Sequence, residues 1–60
     1  MEAVIVDKLK IGDRFILDPS FEIVWTVIDT NPPQYTNSVL IKGVNIIAPL
    51  DRCTLVYIHR

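Results

Sequence analysis

The β-branched and aromatic residues of this chain come in short runs, each closed within a few residues by Asp, Pro, Gly or Asn. Val4-Ile5-Val6 ends at Asp7, and Phe15-Ile16-Leu17 ends at Asp18-Pro19-Ser20. No window of about a dozen residues sustains a helical period of about 3.6, so the runs read as strands joined by turns. Phe21 to Thr30 is the longest run and is expected to be the central strand. Ile23, Trp25 and Val27 fall on one of its faces, and Val24, Thr26 and Ile28 on the other. Asn31-Pro32-Pro33-Gln34-Tyr35-Thr36-Asn37 is expected to be a loop, because its prolines cannot donate to a ladder and its asparagines favour turns. Ser38 to Lys42, Val44 to Ala48 and Thr54 to His59 complete five or six short strands, separated by Gly43 and by Pro49-Leu50-Asp51-Arg52. Leu50 to Cys53 makes one helical turn at most.

Sixty residues make one domain, residues 1–60, with no repeat and no linker. Short antiparallel strands in so small a chain have to curl to cover their edges, which gives an all-β fold, a small SH3-like, partly open antiparallel barrel. Within it Leu9 plugs the barrel mouth, and Gly12 permits the bend that starts the second strand.

Such a domain buries only about 60% of the surface its unfolded chain exposes, so its core needs support. Cys53 is the sole cysteine, which excludes an internal disulfide and fits a reducing, cytoplasmic compartment. Cys53 and His59 do not amount to a zinc set, and no metal or other cofactor is expected. Support is therefore expected from self-association or from another protein. The strand pattern points the same way. Placing Phe15, Leu17, Ile23, Trp25, Val27, Val39, Ile41, Val44, Ile46, Leu55 and Tyr57 inside leaves Ile16, Val24, Ile28, Leu40, Ile47, Val56 and Ile58 pointing outward. An apolar patch of that extent exceeds what a soluble monomer usually exposes. Val24, Ile28, Leu40, Val56 and Ile58 are the expected contacts. Tyr35, held outward after a stiff Pro32-Pro33 pair, is the expected rim anchor.

Other function classes find less support. The start Met1-Glu2-Ala3-Val4 lacks the basic head and apolar core of a signal peptide, and no apolar run approaches the roughly 20 residues of a membrane span. A formal net charge of -1 supplies no overall attraction to phosphate or acidic lipid. Cys53 and His59 are six residues apart in sequence and, on a regular strand, about 20 Å apart, too far for a nucleophile and its base. No glycine-rich phosphate loop is present, so neither an enzyme nor a small-molecule substrate is indicated. Asp13, Asp18, Asp29 and Asp51 stand beside turns, where a short carboxylate bonds local amides. A nucleic-acid-binding barrel remains an alternative, with Lys8, Lys10 and Arg14 around one loop and Tyr35 or Tyr57 as a stacking ring. The interleaved Asp7 and Asp13 weaken that basic patch. A structural subunit of a larger particle is the other alternative.

Leu9-Lys10-Ile11-Gly12-Asp13-Arg14-Phe15, followed by Trp25-Thr26-Val27 and a closing C-terminal strand, resembles the opening of small SH3-like barrel proteins of unknown function from bacteriophages and mobile elements. Those often carry proline where Ile11 stands here. The resemblance covers about the first half of the chain. It implies a compact phage accessory protein that binds a host or virion protein, and it transfers no catalytic or binding residue.

Overall fold

A computed structural model of the protein describes residues 2–59; the terminal Met1 and Arg60 of the expected domain lie outside them. The chain is all-β: β1 (Ala3–Ile5), a 3₁₀ turn (Val6–Lys8), β2 (Arg14–Asp18), β3 (Phe21–Asp29), β4 (Ser38–Lys42), β5 (Ile47–Asp51) and β6 (Leu55–Ile58). The strands are antiparallel and form one open sheet in the order β1-β6-β2-β3-β4-β5.

That order forces the sheet to curl. In a flat sheet β6 and β5 would lie four strand spacings apart, about 19 Å at roughly 4.8 Å each. Only Arg52, Cys53 and Thr54 link them, and the four steps from Asp51 to Leu55 reach at most about 14 Å. The two sides of the sheet are therefore drawn together into a small, partly open barrel. Three backbone bonds hold the closure. Val6 and Asp7 donate to the carbonyls of Thr54 and Arg52 at 2.9 and 3.2 Å, and Arg52 donates to Asn37 at 3.1 Å.

The core is built from Val6, Leu9, Phe15, Val27, Val39, Ile41 and Val56, with Val4, Trp25, Leu50 and Ile58 packed against it. Leu9 is buried as expected of a plug. Gly12 has φ +96°, a value that L side chains rarely adopt, and its N–H donates to the Val27 carbonyl at 2.8 Å. The bend therefore ties the approach to β2 onto the last part of β3.

Three expectations need correction. Val6 leaves the first strand and turns inward as the start of the 3₁₀ turn. The fifth strand is Ile47–Asp51, not Val44 to Ala48, because Asn45 takes φ 63° and the chain reverses over Gly43–Ile46 with a 2.9 Å bond from the Gly43 N–H to the Ile46 carbonyl. Pro49 then lies inside a strand, opposite Leu40. β5 is the sheet's edge, where a missing N–H is tolerated. Leu50 to Cys53 accordingly ends a strand and begins a turn, with no helical turn.

The third correction concerns which residues face inward. Leu55-Val56-Tyr57-Ile58 is apolar on both faces, so its alternation does not identify the inner one. Val56 is completely buried, and Ile58 packs against the core beside its cross-strand partner Phe15. Leu55, expected inside, is exposed. Val56 is therefore core and not an outward contact, and Ile58 is half-buried on the same face.

Candidate functional site

Much of the apolar surface left in water lies at one end of the barrel, while Ile5, Ile11 and Leu55 are exposed elsewhere. β6 pairs with β2 only at Phe15 and Ile16, and β4 joins β3 only from Thr26 onward. The far part of the β2–β3 hairpin, Leu17 to Val24, thus runs past both flanking strands with only its own two arms as partners. Leu17 and Ile23 share the core-facing side of the sheet with Phe15 and Trp25, but nothing covers them there. Phe21 is 66% exposed and Ile23 53%. Together with Leu17, Trp25 and Asp18 they line a shallow groove of about 200 Å³.

Trp25 forms the floor where this groove meets the core. Its ring lies against Gly43, whose missing side chain leaves the space that the indole fills. The β4–β5 hairpin beyond Gly43 adds Val44, 81% exposed, and Ile46, also exposed. The rim is acidic: the Asp18 carboxylate accepts the Ser20 N–H at 2.8 Å, and Glu22 is exposed one position on from Phe21. No Lys, Arg or His occurs between Arg14 and Lys42.

The opposite end is polar and clamped. The guanidinium of Arg52 bonds the Asp7 carboxylate at 3.1 Å, the Asn31 side-chain oxygen at 3.3 Å and the Thr36 carbonyl at 3.4 Å. One side chain thereby ties the 3₁₀ turn, the end of β3 and the long loop together. An open depression here is lined by Asp7, Leu9, Lys10, Ile11, Thr30, Asn31 and Arg52. Ile11 stands on it 65% exposed.

The expected contact residues do not form one patch. Val24, Ile28 and Leu40 are half-buried on the outer face. Ile16, also outward, is buried between Val24 and Tyr57, its cross-strand neighbours on either side. Tyr35 is exposed in the long loop, where its N–H and carbonyl bond Pro32 and Ser38, and Pro32 is buried and anchors that loop. Lys8, Lys10 and Arg14 are exposed but share their loop with Asp13, which accepts the Lys10 N–H at 2.8 Å, and with Asp7, which pairs with Arg52. The four turn aspartates do bond local amides: Asp13 that of Lys10, Asp18 that of Ser20, Asp29 that of Asn31 and Asp51 that of Cys53.

Reasoning from alternation missed Leu17 and Ile23 as surface residues because it treats every core-facing position as covered, and it assigned Phe21 to neither face. One signal was present: Phe21 directly follows Asp18-Pro19-Ser20, so it had to lie at a hairpin end, farthest from the core. Among the described residues no group of three or more His, Cys, Asp or Glu is placed to hold a metal, and no helix is long and apolar enough to cross a membrane. Comparison with protein families, curated proteins and solved structures finds no match for this chain.

Proposed function

We propose that this protein is a non-enzymatic, cytoplasmic protein-interaction module that self-associates through the open apolar end of its barrel. The observation that carries the reading is the exposed Phe21 and Ile23 beside Trp25 in a groove nothing covers. Aromatic side chains concentrate where interfaces form, and at about 25 cal/mol per Å² a few hundred Å² of buried apolar area contributes several kcal/mol. That gain is comparable with the whole stability of so small a domain. The four-strand run β2-β3-β4-β5, with β6 returned beside β2 by a three-residue link, supports assignment to the SH3-like barrels. A phage accessory role is the biological setting that the opening Leu9 to Phe15 phrase suggests.

The deciding measurement is mass in solution by light scattering over a concentration series, for the natural protein and for Phe21→Asp. Mass that rises with concentration, and a Phe21→Asp variant that stays monomeric with an unchanged circular dichroism spectrum, supports the reading. Equal association by both proteins removes the groove from the interface.

A further inference from the structure

Resting on the groove being an interface, we infer that its occupant is the Lys8–Ile11 loop of a second copy, so that the protein associates head to tail. The two surfaces occupy opposite ends of β3. Phe21 begins that strand, while Ile11 shares a depression with Thr30 and Asn31 just past its end. The eight steps of this nine-residue strand, at about 3.3 Å each, place its ends roughly 26 Å apart, close to the 31 Å longest dimension of the molecule. One copy therefore cannot fill its own groove.

The two ends match in shape. A groove of about 200 Å³ is smaller than the roughly 300 Å³ at which drug-sized ligand pockets begin, and it suits a single aliphatic side chain. Ile11 is a lone exposed aliphatic on a tight turn, held by the Asp13 N–H bond to the Lys10 carbonyl at 3.0 Å and by Gly12. Little conformational freedom is lost when such a turn docks.

They also match in charge. The groove carries Asp18 on its lining and Glu22 beside it, and no Lys, Arg or His lines it. Ile11 is flanked by Lys8 and Lys10, whose ammonium groups make no hydrogen bond or ion pair among the described residues. The carboxylates around that loop are held close by local bonds, Asp7 to Arg52 and Asp13 to the Lys10 N–H. A lysine stem is longer than that of an aspartate, so these ammonium groups can extend past carboxylates held by local bonds and attract an acidic rim. A symmetric groove-to-groove pairing would instead bring Asp18 and Glu22 of both copies together. A contact between two different patches is heterologous, and it propagates into a ring or an open chain.

Two variants at exposed positions test this. Ile11→Asp removes the knob and leaves the groove, while Phe21→Asp spoils the groove and leaves the knob. Sedimentation and light scattering of each alone should give monomers, and an equimolar mixture should give a dimer that grows no further, because each variant retains one complementary half. Association of the natural protein should weaken several-fold between 50 and 500 mM salt, roughly threefold in Debye length. Ile11→Asp that associates like the natural protein would overturn the head-to-tail arrangement while leaving the groove as an interface. Phe21→Asp that does so would overturn both, and a natural protein that stays monomeric at millimolar concentration would overturn self-association outright.

Discussion

Trp25 and Gly43 face each other across β3 and β4, and a β-carbon built at Gly43 would stand 2.8 Å from Cζ3 of the indole, closer than real contacts allow. The glycine thus backs the indole that floors the groove. Gly43→Ala is expected to displace the ring and to cost about 1–3 kcal/mol, as overpacking does. Chemical denaturation followed by the fluorescence of the sole tryptophan reads both the stability and the ring's surroundings.

Gly12 is needed for a different reason. Nothing lies within 4 Å of a β-carbon built there, but its φ is +96°, so only backbone strain opposes a side chain. Gly12→Ala should cost about 1–2 kcal/mol without any change in tryptophan emission, and Gly12→Asn should cost less. Equal losses for the two variants would show that the backbone at 12 is not the cause.

Val56 and Leu55 are neighbours of opposite fate, one completely buried and one half exposed. Val56→Ala should destabilise by about 2 kcal/mol, whereas Leu55→Ala should stay within about 0.5 kcal/mol despite removing a larger side chain. The reverse order in thermal melts would mean that β6 is shifted by one residue.

Arg52 joins three segments, yet its ion pair with Asp7 is partly solvent-exposed. Arg52→Ala should therefore lose about 1–2 kcal/mol, mostly from hydrogen bonding and packing, while Asp7→Asn should lose no more than about 0.5 kcal/mol. Salt should change the stability of the natural protein little, in contrast to its association.

Much of this architecture was legible in the residues themselves. Turn formers at Asp18-Pro19-Ser20 and across Asn31–Asn37 bracket β3, and both boundaries follow local chemistry, since a proline or a short carboxylate acts on its own few neighbours. The strand Ser38–Lys42 was readable for the same reason. At Gly43–Ile46 two turn signals competed, because Gly43 and Pro49 both read as breaks. The sheet decided between them by using Asn45 in the turn and placing Pro49 on an edge.

The sequence by itself determined an all-β chain of short strands, a glycine-dependent bend and aspartates that bond their own turns, because each depends on interactions within a few residues. Only the tertiary structure decided which face of β6 is inside, that Ile16 is covered on the outer face, and that Leu17, Phe21 and Ile23 are left in water. Those outcomes depend on where one strand ends relative to its neighbours. An apolar residue on the core side of the sheet is buried only if another strand reaches it, and alternation along a single strand carries no record of how far that other strand extends.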